Sequence, residues 1–359
     1  MGLPAGLGAS WCFKDETTYG VAPSLASGAV FYACDNDSLG LKKGPKQGTG
    51  IFKGSLAPRS SRRVVETYSV TGATPMELPE RQFNPWLQRM LGSYGQSAAT
   101  LTEDGSTGAY SATHALGDLF GHSFTAQKGV PAVDGTAVPY TYTGCKLQSW
   151  EISAALSAIA KFTPTIEGRN ELAGSWKDPL NGSVPSLQAY TAPVTGTVFH
   201  WVGASLVYGG TPSTSGGVTT ISGGSVAGNL KGSLSLKCTR PMDLERYSPD
   251  VAPFRNEPIQ NAVTQVTGSF TVEFLSSLTY QAAFDADTPT CLALQFTAEP
   301  IGTGADVASL EFVIPNVRLE GESAKVAGAD VITQAIPWTA FDDGVNNVLQ
   351  ATYWTLDSA

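Results

Sequence analysis

The sequence is short of charge. Only 15% of its 359 residues are Asp, Glu, Lys or Arg, against about 25% in an ordinary globular chain. A surface so sparsely charged is expected to be covered in part by other subunits. Positive charge is scarcer still, since 22 bases against 31 acids leave a net −9. The molecule as a whole therefore repels a phosphate backbone, which speaks against a gene regulator or nuclease. Histidine is nearly absent, with His114, His122 and His200 widely spread. The pair His114 and His122 is too weak to make a metal site, and each is expected on the surface or satisfied in the core. The five cysteines, Cys12, Cys34, Cys145, Cys238 and Cys291, are odd in number and form no C-x-x-C pair. Neither a disulfide framework nor a zinc site is implied, and they read as small apolar residues in a reducing cytoplasm.

Long apolar runs are also missing. The longest, ISAALSAIA at 152–160, falls well below the roughly 18 residues that cross a bilayer. The opening MGLPAGLGASWCFKDET lacks the basic start and apolar core of a signal peptide. A soluble protein made in the cytoplasm is expected, with no membrane partner. Reactive motifs are absent as well: there is no G-x-S-x-G elbow, Walker loop, H-E-x-x-H or paired-cysteine cluster. GPKQGTG at 44–50 lacks the Gly-Lys-Ser/Thr ending of a phosphate loop. Glu103-Asp104 and Asp342-Asp343 sit beside glycines and read as solvated turn acids, because an acid/base couple usually comes from separate elements. No enzyme, catalytic residue, metal site or cofactor is expected.

What the chain does have is glycine and proline, 39 and 22 of them, in a scatter that suits many strands and turns. LKGSLSLKC places Leu230, Gly232, Leu234, Leu236 and Cys238 on one face and Lys231, Ser233, Ser235 and Lys237 on the other, as a half-buried antiparallel strand requires. SFTVEF, CLALQFT and SLEFVIP repeat the alternation through Phe270, Val272, Phe274, Leu292, Leu294, Phe296, Leu310, Phe312 and Ile314. AKFTPTI does so too, although Pro164 marks an edge strand or bulge. The spacing predicts a sandwich or barrel. One helix is signalled in FNPWLQRMLG, with Asn84 as N-cap, Pro85 in the first turn and Gly92 as stop. Residues 1–50 read as an extended N-terminal arm and loop. Residues 203–228 hold eight glycines and read as a flexible loop or hairpin near the seam between halves.

Two features suggest duplication. FKGSL at 52–56 returns as LKGSL at 230–234, a shift of 178 residues. The segment from Tyr140 can also be laid beside that from Glu311, pairing Leu147 with Leu319 at a shift of 172. A two-unit division is therefore expected, with 51–190 as one β-domain and 191–359 as another. A separate signal is charge: from Ser38 to Val65 there are seven bases, including Lys42, Lys43, Lys46, Arg59, Arg62 and Arg63, and no acid. Everything else then carries −16. A solvated loop, a loop docking onto an acidic neighbour and DNA contact all stay open on this evidence.

VPYTYTGCKLQSWEISAALSAIAKFTPTIEGR (138–169) and IPNVRLEGESAKVAGADVITQAIPWTAFDDG (314–344) resemble the strand, small-residue link and return strand of the major tail, or tail tube, proteins of tailed bacteriophages. The resemblance runs from about residue 48 to the end. It implies a mainly β protein, an antiparallel β-sandwich or barrel with a short flanking helix, in two tandem related domains. It further implies a structural virion protein of the tail, assembled in the host cytoplasm, that forms stacked rings around a lumen delivering the genome. Its partners would be itself, in rings of three duplicated chains or six chains, with tape measure, tail terminator and distal tail proteins. DNA would pass without specific binding. On this reading Lys42, Lys43, Lys46, Arg59, Arg62 and Arg63 are the inter-ring contact, and Glu151, Glu273 and Glu311 are candidates for lumen acids. A tail decoration or adhesion protein that binds a receptor or carbohydrate is the competing reading, with Trp176 or Trp201 as its aromatics.

Overall fold

The computed structural model describes residues 5–174, 178–194, 196–250, 253–274, 279–321, 324–326 and 329–358. It is mainly β. In chain order the strands are β1 (Ser10–Glu16), β2 (Val30–Tyr32), β3 (Gly40–Gln47), β4 (Arg63–Ala73), β5 (Met76–Glu77), β6 (Thr102–Glu103), β7 (Tyr110–Ala115) and β8 (Ser123–Pro131). Then come β9 (Ala137–Ala155), β10 (Lys161–Gly168), β11 (Asn170–Leu172), β12 (Ala204–Tyr208), β13 (Thr211–Ser215), β14 (Val218–Ser222), β15 (Ser225–Val226) and β16 (Leu230–Thr239). The last are β17 (Met242–Asp243), β18 (Ile259–Gln260), β19 (Gln265–Glu273), β20 (Thr290–Pro300), β21 (Val307–Leu319), β22 (Thr333–Ala340) and β23 (Gln350–Thr355). Two α-helices accompany them, α1 (Asn84–Leu91) and α2 (Thr279–Asp285). The sheets are antiparallel and sandwich-like, and they close into no barrel among the described residues.

The order of pairing has a pattern. In the first half β3 pairs with β4, β4 with β10, β10 with β9, β9 with β8, and β8 with β1. In the second half β16 pairs with β19, β19 with β22, β22 with β21, β21 with β20, and β20 with β12. α1 precedes β8 and α2 precedes β20 in the chain. Between the two series stands one joint, where β16 pairs with the last part of β9 from Ser149 to Ala155. The central sheet therefore reads β3-β4-β10-β9-β16-β19-β22, ending on β21.

β9 belongs to both layers because it bends. Its first residues pair with β8 and β11, its last with β10 and β16, and between them Gly144 adopts φ +63. A Cβ there would lie 2.7 Å from that of Arg169 and 2.9 Å from the ring of Tyr19, so glycine is needed twice over. Glu16 fastens the bend. Its buried carboxylate accepts from Gly144 N (2.8 Å), Gly20 N (2.8 Å), Ser123 Oγ (2.6 Å) and Thr125 Oγ1 (2.7 Å). Burial pushes its pKa up, and the four donors oppose that shift.

The alternating segments fill the core as their period predicts, except that Phe274, just past the end of β19, is exposed. Leu234, Leu236 and Cys238 are buried, as are Phe270, Val272, Leu292, Leu294, Phe296, Leu310, Phe312 and Ile314. One principal cluster runs from Phe13 to Tyr353 and spans both halves. Around Trp86 of α1 the rings of Phe13, Tyr32, Phe124 and Phe162 meet edge to face. α1 ends at Gly92 with φ 71, as expected. Its N-cap differs from expectation: Phe83 holds that place, and the Asn84 side chain accepts from His114 instead.

Several other expectations change. FKGSL and LKGSL are not equivalent strands. Residues 230–234 lie in β16, whereas 52–56 lie in the connection between β3 and β4, with Gly54 at φ +79 and Leu56 fully exposed. Gly232 also has a positive φ, +100, but there Ser233 and Leu234 are held in ladders to β9 and β19, whereas residues 52–56 join no ladder among the described residues. By contrast Leu147 stands opposite Ile166, and Leu319 opposite Trp338; the 172-residue shift carries one cross-strand pair onto the other. Residues 1–50, expected as an arm, contribute β1, β2 and β3, because Cys12, Phe13, Phe31 and Tyr32 are buried apolar anchors. Of the glycine-rich segment, 211–222 is a hairpin, but Ala204–Tyr208 pairs along β20 with Leu206 buried. Pro164 is not on an edge strand but lies beside a bulge, the other expected setting, where the β10–β9 register shifts between Thr165 and Ile166. It faces Trp150 of β9, and on its other side the partner strand is interrupted between β4 and β5, where no donor is required.

Candidate conduit face and basic hairpin

One face of the central sheet is covered by the core, and the other carries short polar side chains. Along one row Thr163, Glu151, Lys237, Thr267 and Thr339 stand opposite one another on β10, β9, β16, β19 and β22. The next row holds Ser153, Ser235 and Ser269, with Ser235 Oγ 3.0 Å from Ser269 Oγ. Ser233 Oγ lies 3.2 Å from Thr271 Oγ1 in the row beyond. The alternation that buries Ile152, Leu236 and Phe270 turns these residues outward.

The candidate acids fall unequally on this surface. Glu151 faces Lys237 in register, and Glu273 accepts from Lys231 Nζ at 2.6 Å. Each of these two acids thus has a lysine beside it. Glu311 lies elsewhere, in the part of β21 that pairs with β20 and β23 opposite Gln295 and Thr352, where burial raises its pKa. The structure brings Glu151 and Glu273 to one face and leaves Glu311 apart.

The basic residues gather on one hairpin. Lys42, Lys43 and Lys46 lie on β3, Arg59 and Arg62 in the connection, and Arg63 at the start of β4; all are exposed. Among the described residues none of the six has an acid within 4.0 Å. The guanidinium groups of Arg59 and Arg62 lie 4.0 and 4.5 Å from the ring centre of Phe52, which stiffens the tip. Ile51 and Leu56 beside them are 99% and 107% exposed. A tip that is both cationic and apolar is suited to a protein surface.

Buried polar contacts, which the sequence did not signal, lie around the 240–258 segment that packs against this hairpin at Tyr68. Arg169 pairs with Asp178 (2.9 Å) and Lys146 with Glu257 (2.5 Å), both largely buried. Burial lowers the Lys146 pKa and Glu257 opposes that shift. Tyr68 of β4 stacks on Phe254, and its N–H donates to Pro253 O at 2.8 Å. The run of Arg, Glu and Pro at 240–258 is the only sequence trace of this arrangement.

Among the described residues the histidines and cysteines stand apart from one another. His114 is buried between Asn84 Oδ1 and Ser93 Oγ, each at 2.7 Å, and burial lowers its pKa to about 4. His122 stacks on Tyr94, and His200 accepts from Gly203 N. The cysteines are free thiols, four of them buried, and burial pushes Cys12 up to about 12 and Cys238 to about 11. Such thiols are poor nucleophiles. Among the described residues no group of three or more His, Cys, Asp or Glu side chains could hold a metal ion, and no helix is long and apolar enough to cross a membrane. Trp201 packs half-buried against the core, and Trp176 lies outside the described residues.

A search of curated proteins found no match. A family model does match, that of the phage tail tube protein, over residues 6–340. Nearly the whole chain is covered, including the polar sheet face and the basic hairpin, and so the chain belongs to the phage tail tube protein family, structural components of the virion tail.

Proposed function

We propose that this chain is the repeating subunit of a tail tube, assembling into rings that stack into the conduit for genome delivery. The observation that carries this reading is the joint between β9 and β16. Inside one chain, a four-strand series ending on β9 accepts the first strand of a second series. Both outer ends of the combined sheet are open: β3 has no strand partner opposite β4, and Leu319 and Glu320 at the end of β21 bond only towards β22 among the described residues. Open edges invite pairing, and a head-to-tail contact that turns through a fixed angle closes into a ring.

On this reading 51–190 and 191–359 are two related units, with residues 1–50 supplying further strands to the first. Three chains then provide six units, and the ring is a trimer of pseudo-sixfold form. The Ser/Thr face, with Glu151 and Glu273 balanced by Lys237 and Lys231, lines the lumen. Hydroxyl groups and paired charges offer a phosphate backbone no net attraction, so DNA slides without being held. Glu311 is assigned no place in the lumen. The basic hairpin is an assembly contact. The chain works in the virion tail after synthesis in the host cytoplasm, with tape measure, terminator and distal tail proteins as partners and no catalysis of its own. Native mass measurement of purified rings, with negative-stain microscopy, tests this. Three copies per ring are expected; six would overturn the duplicated reading, and protein that stays monomeric at high concentration would favour the adhesion reading.

A further inference from the structure

The repeated pairing order gives each half the same kind of connection between its first two long strands. Residues 48–62 join β3 to β4, and residues 240–264 join β16 to β19. The second connection folds back across the joint onto the first half. Arg240 donates to Leu91 O (2.7 Å) and Met90 O (3.3 Å) at the C-terminal end of α1, and to Gly117 O (2.8 Å). Glu257 accepts from Lys146 Nζ (2.5 Å) and Gly121 N (2.6 Å), and Arg255 is buried against Glu167 and Gly168 O. A connection leaving one half thus clamps the half before it. The first connection has no preceding half within its own chain, and its basic tip stands exposed.

The matching surface on the second half is open. The 172-residue shift that carries Leu147 and Ile166 onto Leu319 and Trp338 also carries Lys146 onto Arg318 and Glu167 onto Thr339. Local contacts agree. Lys146 donates to Leu119 O just before β8, and Arg318 donates to Asp287 O just before β20. The segment before β20 carries Asp285 and Asp287, both exposed, and beyond β22 come exposed Phe341, Asp342 and Asp343. On the clamp side, Leu41 stands opposite Val70 as Cys238 stands opposite Val266. Two residues further on, Lys43 occupies the place of Arg240.

We propose that the β3–β4 hairpin of one chain clamps this acidic surface on the neighbouring chain of the same ring. Lys43 meets the end of α2, and Arg59, Arg62 and Arg63 meet Asp285, Asp287, Asp342 and Asp343. The inference rests on the ring reading and redirects the basic hairpin from the next ring to the adjacent chain. Charge separates the two joints: inside the chain the clamp carries both signs, presenting Glu257 to Lys146 and Arg255 to Glu167, whereas between chains a wholly basic clamp meets a surface rich in acids.

Full-length protein, analysed by native mass spectrometry and negative-stain microscopy at fixed salt, tests the clamp. Arg59→Glu, Arg62→Glu and Arg63→Glu form one variant, Asp285→Lys, Asp287→Lys, Asp342→Lys and Asp343→Lys a second, and all seven together a third. Each one-sided variant should keep the wild-type thermal melt yet lose roughly tenfold or more in ring fraction, and the combined variant should regain rings. Rings that persist but no longer stack in the arginine variant would place the hairpin between rings and overturn the proposal, as would failure of the combined variant to recover. A wild type that forms no rings would remove the ring reading, and the clamp with it. Should a charge variant misfold, Lys43→Cys with Asp285→Cys replaces it: oxidation is expected to link chains within isolated rings, and rings that stay unlinked overturn the proposal.

Discussion

Inside the core, His114 Nε2 lies 2.7 Å from Asn84 Oδ1, and its other ring nitrogen lies 2.7 Å from Ser93 Oγ. An amide oxygen can only accept, so Nε2 carries the proton, Nδ1 accepts from the serine, and the ring is neutral. The contact joins the start of α1 to β7, which in turn pairs with β23 through His114 and Ala351. Burial lowers the His114 pKa from 6.5 to about 4. Between those values the unfolded chain binds a proton that the folded chain refuses. The stabilisation is therefore complete above pH 6.5 and is lost as pH falls towards 4, by on the order of 3 kcal/mol at the lower end. Glu16, with its raised pKa, acts in the opposite direction. Urea denaturation at pH 7, 5.5 and 4.5, compared between wild type and His114→Gln, isolates the histidine. The variant should be less stable at pH 7 and show a flatter decline; equal slopes would reject the assignment.

Gly268 of β19 lies under Trp338 of β22, with which it pairs. A Cβ at this position would stand 2.2 Å from Ser235 O and 2.4 Å from the indole Cζ2. Neither group has room to retreat, because one is backbone in a central strand and the other is core. Gly268→Ala is expected to cost about 3 kcal/mol or more, read as a drop of several degrees in Tm. Trimming the indole in Gly268→Ala with Trp338→Leu should not restore stability, since the carbonyl remains. Full recovery in that double variant would show that the ring alone sets the limit.

Arg240 ties the second half of the chain to α1 through Leu91 O, 149 positions away. Its guanidinium is buried, and burial lowers its pKa. Arg240→Met keeps the aliphatic bulk and leaves three carbonyls without this donor, at an expected loss of about 2–4 kcal/mol. Hydrogen exchange locates the effect: amides of α1 and of 240–258 should lose protection first, with β12 and β20 unchanged. A uniform loss of protection would mean that Arg240 does not specifically hold the two halves together.

The strands were legible because period-two alternation is a local property. Leu234, Leu236 and Cys238 could be assigned to the core from nine consecutive residues, and the turn of α1 at Gly92 from one glycine after an apolar face. The family resemblance was legible for a related reason, as it rests on a strand, a small-residue link and a return strand within residues 138–169. The Phe52–Leu56 echo misled because four shared residues fix no backbone: the same Lys-Gly-Ser-Leu makes a turn at one site and a strand at the other. The buried ionic contacts were not legible. Arg255 and Glu167 are 88 positions apart, and Glu16 and Gly144 are 128 apart, so no window of sequence holds both partners. The sheet face carried a partial signal: its serines and threonines follow from alternation, but that Glu151 faces Lys237 depends on the joint between β9 and β16.

The proposed lumen makes a prediction that separates position from composition. Ser153, Ser235 and Ser269 form one row across β9, β16 and β19, and their hydroxyls face away from the core. Replacing all three with lysine adds length and charge without touching the buried face, so folding and ring number should be unchanged. If the row lines the conduit, each ring gains inward cations that contact passing phosphates and release counterions on doing so. Assembled tubes should then retain short duplex DNA at low salt, with retention falling steeply as salt rises, and particles carrying the variant should release their genome more slowly. For a control of equal charge, Ser235→Lys alone is compared with Val133→Lys, whose position is 94% exposed on a turn outside the central sheet. Tubes of Val133→Lys should bind no more DNA than wild type. Equal binding by both variants would show that the serine row is simply outer surface, and the conduit would have to be sought on another face.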